Sequence, residues 1–398
     1  MINTLCELIR MENPAECLRR TLKIAEEMGF RTHNMDDIVG WAEYGDENAE
    51  MVCVLGHLDV VPAGEGWTHE PFGGEISGGR VWGRGAIDDK GPAIAALFAV
   101  KELMDSGCPM KRRVRVLFGT AEETGSEDMR YYLEHGGEVP FLGFTPDGNF
   151  PLINGEKGII TATYQKKFST GVKKLSGGTA FNIVPRYACA ELADGTKVEA
   201  EGVSYHGSQP WEGVNAIGKL FEKLKGINDT FAFLAEHPGT DPYGKSMGIA
   251  LEDAGSGPLS FCMGVANGDA EQLTVVFNYR YPVTCKYEEC EPVLDRLMQE
   301  HGFVCIEESH EKPLYFPADA EPVKTLCEVY GDITGLDATP EQIGGGTYAK
   351  SIPHIVAFGP VFPGMEAREH EPDEYIDIEV MEKIRKIYKE AVRRLANL

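Results

Sequence analysis

A change of rhythm part-way along the chain constrains its fold more than any other feature. Over residues 1–156, short apolar runs alternate with helical periods: 51–56, 114–119 and 141–145 read as strands, 91–106 and 126–135 as helices, the latter with a serine cap. An amphipathic helix comes first, with Leu18, Leu22, Ala25 and Met28 at helical spacing and Gly29 as its stop. Strands alternating with helices predict an α/β fold, a mostly parallel sheet flanked by helices, in which ligands gather beyond the carboxyl ends of the strands. The chemistry is therefore expected just after Gly56, Gly119 and Thr145.

From residue 157 the period shortens to two. Residues 158–168, 181–192, 259–266 and 272–281 read as strands between turn-rich segments, with one helix near 215–225. In the last of these strands Leu273, Val275, Phe277 and Tyr279 share one face, and Thr274, Asn278 and Arg280 the other. This predicts an inserted antiparallel α+β domain over 157–309 that divides a catalytic domain into 1–156 and 310–398. After it the first rhythm resumes, with a helix near 321–334, a strand at 355–359 and a final helix at 377–395.

A formal net charge of -25 repels phosphate backbones and anionic lipid, so neither nucleic acid nor a membrane surface is an expected partner. No stretch approaches the roughly 18 uninterrupted apolar residues of a membrane span, and residues 1–30 carry charges throughout, so a cytoplasmic location is expected. The 10 cysteines form no Cys-x-x-Cys pair, and Cys53, Cys189 and Cys262 lie in apolar runs where they read as reduced, buried hydrophobes.

Histidines and carboxylates recur where the parallel strands end. His57 and Asp59 stand two apart and face the same way on an extended segment, so that Asp59 can hold one tautomer of the imidazole. The glycine-rich segment 83–92 carries Asp88 and Asp89 before a helix; it matches neither nucleotide-binding pattern, and paired aspartates suit a cation instead. Glu122 and Glu123 follow the strand at 114–119, where adjacent carboxylates on an extended segment diverge, one toward a metal and the other toward its water. Asp147 ends the strand at 141–145, and His370 lies in Glu369-His370-Glu371-Pro372, away from those ends. Each signal alone is common. Together His57, Asp88, Glu123, Asp147 and His370 supply enough donors for two metal ions sharing one carboxylate.

These segments resemble the signature of metallopeptidase family M20, and more narrowly its dipeptidase V or carnosinase-type branch. The likeness continues in the same order through Asn182-Ile183-Val184-Pro185, Tyr205-His206-Gly207-Ser208, Asn278-Tyr279-Arg280-Tyr281-Pro282, Gly344-Gly345-Gly346-Thr347-Tyr348-Ala349 and Asp373-Glu374-Tyr375-Ile376. The resemblance implies a zinc-peptidase-like catalytic domain with an inserted lid or dimerisation domain. It implies that Asp88 bridges two Zn2+ ions, with His57 and Asp147 on one and Glu123 and His370 on the other, Mn2+ or Co2+ being alternatives. Glu122 is then the general base, Asp59 orients His57, and the Asp88–Asp89 peptide is cis. His206 is implied as the oxyanion stabiliser and Asn182 as a polar anchor, while Arg280, Gly345, Gly346 and Thr347 hold the substrate's terminal carboxylate.

Within the family, Asp at position 147 goes with a free substrate amine and Glu with carboxypeptidases and deacylases. The expected activity is hydrolysis of dipeptides or short peptides with a free N-terminus; the alternatives are an N-acyl amino acid deacylase or desuccinylase, a carboxypeptidase, and a binding protein without turnover. Two departures stand out: Lys350 closes the glycine loop where relatives carry Arg, and the inserted domain is shorter than in the dipeptidase V branch. Both a monomer and a homodimer are compatible with this pattern, and so is action of His206 within its own chain or in a neighbour.

Overall fold

Met51–His57 is buried at every one of its positions, as a strand covered on both faces must be. In the computed structural model, which describes every residue except Ala367, the chain divides into two units. The first comprises Met1–Asn154, Phe316–Glu341 and Gly346–Leu398; the second comprises Gly155–Tyr315 and Gln342–Gly345.

In the first unit the strands lie in the order Arg31–Met35, Val39–Tyr44, Arg113–Gly119, Met51–His57, Leu142–Thr145 and Ile355–Ala357. The last four run parallel, and the hairpin of the first two adds an antiparallel edge. Register brings the carboxyl ends level: His57 pairs with Gly119, and Ala357 with Thr145. The segments that leave those ends are therefore neighbours. Helices Lys90–Asp105 and Ile378–Leu395 bury Ile94, Leu97, Val100, Ile384 and Ile387 in one core with Val54, Val116, Phe144 and Val356. Each such side chain contributes about 1.5–3 kcal/mol on leaving water.

The N-terminal segment forms two helices, Ile2–Ile9 and Pro14–Glu27, where the spacing predicts one. Asn13 caps the second, its side chain accepting the Glu16 N–H at 3.1 Å, and Pro14 has no N–H with which to continue the first. The first helix is tied down from a distance: the buried Lys90 ammonium donates to the carbonyls of Leu8 (3.1 Å) and Met11 (2.8 Å). The expected serine cap does not form. Ser126 precedes helix Glu127–Glu134 at φ 56° and makes no side-chain cap, because the nearby Asp128 carboxylate takes the N–H of Met129 at 2.7 Å.

The second unit holds a seven-stranded sheet, antiparallel throughout, in the order Lys197–Glu201, Tyr187–Leu192, Val172–Gly177, Ser260–Asp269, Gln272–Tyr281, Gly158–Lys167 and Val304–Glu311. Leu273, Val275, Phe277 and Tyr279 point into its core with Ile160, Ala162 and Tyr164. The single strand expected at 181–192 is broken at Pro185, which cannot donate to a ladder. Ile183–Val184 pairs instead with Tyr205–His206, and Tyr187–Leu192 enters the large sheet. Helix Ala216–Leu224 starts where expected, with the Asn215 side chain accepting from Ile217 and Gly218. Helices Asp229–Glu236 and Glu291–Glu300 were not legible. All ten cysteines are free thiols; Cys53 and Cys262 are buried and Cys189 half-buried. Among the described residues no helix is long and apolar enough to cross a membrane.

Candidate metal centre

The strand ends of the first unit deliver their side chains to one place. Donor atoms of His57, Asp88 and Asp147 lie within 4.8 Å of one another, as do those of Asp88, Glu123 and His370, and those of His57, Glu122 and Glu123. Asp88 belongs to two of these triads and His57 to two, so the groups overlap without merging. His57 Nε2 is 3.0 Å from Asp88 Oδ1, and His370 Nε2 is 2.9 Å from Asp88 Oδ2 and 3.1 Å from Glu123 Oε2. The His370 ring itself is exposed, in a loop where the residue adopts φ 65°. The Asp88–Asp89 peptide is cis.

The electrostatics follow from crowding. Burial alone would lower the pKa of His57, but hydrogen bonds to Asp59 and Asp88, with the charges of Asp88 and Asp147, raise it well above the usual imidazole value. His370 is pushed up to about 10 by its hydrogen bonds to Asp88 and Glu123. Asp147 rises to about 7 and Glu122 to about 8, each through burial first and neighbouring carboxylates next. Neighbouring carboxylates hold protons on Glu122, Asp147 and both imidazoles, while His370 and His57 hold Asp88 below its usual value against the effect of burial; so much crowded negative charge suits divalent cations. The mixture of imidazole nitrogen and carboxylate oxygen fits zinc, manganese or cobalt.

A second set of carboxylates holds the main chain around these donors. Both oxygens of Asp59 accept backbone N–H groups, from Glu122 at 3.2 Å and Glu123 at 3.1 Å. His57 Nδ1 lies 3.1 Å from the Asp59 carbonyl oxygen and 3.4 Å from its Oδ1; since a carbonyl only accepts, Nδ1 carries the proton and Nε2 faces Asp88. Asp89, fully buried, accepts the His57 N–H at 3.1 Å. Asp128 accepts the N–H groups of Thr120 (2.6 Å) and Ala121 (2.8 Å) and the hydroxyl of Tyr348 (2.7 Å), whose ring stands edge-on to His57. Glu374 takes three N–H groups from the loop leading into Asp88. Gly56 permits the close fit, since a Cβ there would lie 2.7 Å from both Ala93 Cβ and Asp89 Oδ2.

One expectation is corrected here. Glu122 and Glu123 do not diverge on an extended segment: they begin a turn, closed by Gly125 N–H donating to the Glu122 carbonyl at 3.0 Å and Ser126 N–H to that of Ala121 at 2.8 Å. The strand stops at Gly119 because Asp128 and Asp59 take the N–H groups that would continue its ladder. Asp89, Asp128 and Glu374 were not singled out by role. The adjacency of Asp89 to Asp88 and the Asp373-Glu374 pair near His370 were the available signals; Asp128 had none.

Gly346 and Thr347 also belong to the first unit, where Thr347 Oγ1 accepts the Ala349 N–H at 3.2 Å. The second unit carries Asn182, His206, Arg280 and Gly345. The Asn182 carbonyl accepts the Gly207 N–H at 2.7 Å, beside the pairing of Ile183 with His206. His206 Nδ1 accepts the Ser208 N–H at 3.3 Å and lies 2.7 Å from Ser208 Oγ. Burial and then the positive charge of Arg280 lower its pKa, which favours the neutral ring, and with Nδ1 accepting from Ser208 that ring carries its proton on Nε2. Arg280 is only 5% exposed, not a solvent-facing strand residue, and its Nη1 donates to the Gly344 carbonyl at 2.8 Å.

Known proteins resemble the chain over nearly its whole length. The profile of peptidase family M20/M25/M40 matches residues 53–394. YtjP of Bacillus subtilis (strain 168), which carries a dipeptidase name, is 35% identical over 95% of this chain and 90% of its own length. A dipeptidase-named protein of Staphylococcus epidermidis is 32% identical over 96% of this chain and 90% of its own. Among solved structures, the aminoacylhistidine dipeptidase of Vibrio alginolyticus superposes with a TM-score of 0.66 at 16% identity, covering 99% of this chain and 96% of that one. Human carnosine dipeptidase 1 gives 0.62 at 16% identity over 100% and 96%. With a family match over most of the sequence and relatives aligned nearly end to end, the chain belongs to peptidase family M20/M25/M40 and is a metallopeptidase.

Proposed function

We propose that this metallopeptidase is a dipeptidase or short-peptide aminopeptidase that requires a free substrate N-terminus, works with two zinc ions (or manganese or cobalt), and acts in the cytoplasm. The observation that carries the reading is the overlap of the two triads on Asp88, joined to near end-to-end likeness with dipeptidase-named relatives. Asp88 would bridge the cations, with His57 and Asp147 holding one and Glu123 and His370 the other. When bound, the cations supply Lewis acidity, which polarises the scissile carbonyl and acidifies water.

The remaining work falls to the chain's own groups. Glu122, whose carboxyl is pushed up to about 8, takes the proton of the attacking water and passes it to the leaving amine nitrogen. Asp59 holds Glu122 and Glu123 in their turn while its own carbonyl keeps the His57 proton on Nδ1. His206 donates from Nε2 to the oxygen that gains charge at the scissile carbon, and its lowered pKa keeps it neutral for that task. Asn182 anchors the substrate backbone, and Arg280 with Gly345, Gly346 and Thr347 receives the terminal carboxylate.

The test is hydrolysis of an unblocked dipeptide, its N-acetylated form and its C-terminal amide, with added zinc or manganese and a chelator control. Chelator-sensitive cleavage of the free dipeptide alone is expected. Cleavage of the acetylated form would move the chain to the deacylases and overturn the reading of Asp147; a preference for long peptides shortened from the C-terminus would make it a carboxypeptidase.

A further inference from the structure

Four residues beyond His370, Glu374 has no access to solvent. Its Oε1 accepts the N–H groups of Ile87 (2.9 Å) and Asp88 (3.2 Å); its Oε2 accepts that of Gly85 (3.0 Å) and Nη1 of Arg84 (2.8 Å). Its carbonyl accepts the Gly83 N–H at 2.9 Å. All of these contacts go to the loop that ends in Asp88. One residue earlier, Asp373 accepts the N–H groups of Thr68 (2.7 Å) and His69 (3.0 Å) and the Thr68 hydroxyl (2.8 Å), anchoring the same segment to the chain that follows His57 and Asp59.

A buried carboxylate is costly unless paired, and a core ion pair with Arg84 would meet that need alone. Three further N–H groups do something else: they fix the main chain of residues 85–88, so the Asp88 side chain leaves it in one direction. We propose that Glu374 is a positioning residue for Asp88, tying the His370 segment and the Asp88 loop into one element so that neither cation shell forms properly without it. This rests on the ligand assignment proposed above. Groups that orient a ligand typically matter about 10- to 100-fold in metal affinity when removed. The Gln side chain keeps the shape of Glu374 but turns an amide NH2 toward donors that need an acceptor.

The experiment uses full-length protein stripped with a chelator and titrated with zinc by calorimetry, as wild type, Glu374→Gln and Asp88→Asn, with each metal-free protein also melted. Zinc is expected to bind Glu374→Gln about 10- to 100-fold more weakly than wild type. Wild-type zinc affinity in Glu374→Gln, even with a lowered melting temperature, makes the residue purely structural and overturns the inference. Should that variant fail to fold, Glu374→Asp carries the titration, since it keeps the charge but is one methylene short; weakened zinc binding sustains the inference and wild-type binding overturns it. Unchanged binding by Asp88→Asn would remove the ligand assignment itself, and with it this inference, whereas weakened binding by Asp88→Asn beside wild-type binding by Glu374→Gln would overturn this inference alone.

Discussion

In the first unit, Met51–His57 and Arg113–Gly119 are buried at all seven positions; in the second, Gly158–Lys167 alternates between buried and half-buried along most of its length. A strand covered on both faces has only its ends to offer a ligand, and His57, Glu122, Glu123 and Asp147 stand at or just beyond such ends. The second unit carries its candidate polar groups elsewhere, with Arg280 buried near the end of Gln272–Tyr281 and His206 exposed in a two-residue ladder. The difference teaches that a sheet covered on both faces places donor atoms at its strand ends. On the roles proposed above, chemistry belongs to the first unit and recognition with charge stabilisation to the second.

The sharpest way to break that division is Glu122→Gln. Turnover is expected to fall about 10²- to 10⁴-fold with zinc content unchanged by atomic absorption, and a near-normal rate would remove Glu122 as the base. Next, His206→Ala is expected to lower kcat by about 10²- to 10³-fold, again with metal retained. A rise in KM alone would make His206 a binding group and sharpen the division further.

Stability tests the same contrast without substrate. Leu55, fully buried in a two-faced strand, should cost about 2–5 kcal/mol as Leu55→Ala in denaturant unfolding. Ile306, 54% exposed on the edge strand Val304–Glu311, should change stability by no more than about 0.5 kcal/mol as Ile306→Ser. A comparable loss at both positions would mean that the second sheet is covered on the face that here meets solvent.

The smallest expected effect is confined to acid. Burial alone would raise the Glu43 carboxyl, but hydrogen bonding and charge from Arg115, with Arg113 and Arg31, hold it below its usual value. A folded pKa below the unfolded one gives stabilisation that is complete above about 4.3 and is lost as pH falls through that value toward the folded one. Glu43→Gln should therefore flatten the acid limb of the stability profile, measured by melting between about pH 3 and 6. An unchanged slope would show that the arginines do not hold this carboxylate.

Legibility in the sequence followed the same contrast. The two-faced strands read directly, because the apolar run from Met51 to Leu55 closed by Gly56, and that from Val116 to Phe118 closed by Gly119, leave few alternatives, and the donors followed from where those strands stop. What escaped were features decided by which side chain takes which N–H. Asn13 takes one after the break at Pro14, Asp128 takes the one a Ser126 cap would need, and the turn at Glu122 depends on Asp59, 63 residues away. The three-stranded ladder of Tyr375–Asp377, Arg80–Trp82 and Glu75–Ser77 joins pieces nearly 300 residues apart and has no local signature. In the second unit, the period of two exposed the strands yet hid helices Asp229–Glu236 and Glu291–Glu300, which are too short for their pattern to outweigh the turns around them.

The carboxylates that take main-chain N–H groups have a consequence for how the centre breathes. Asp59 follows one strand and serves the turn after another; Asp89 serves the end of the strand that carries His57; Glu374 serves the loop before Asp88. Each of these three carboxylates serves a segment other than its own, so lifting any one of them strips an N–H or a carboxylate from another. Opening is therefore shared, and the amides of His57, Asp88, Glu122 and Glu123 should exchange with deuterium at one common, slow rate, as a single cooperative unit instead of four loops.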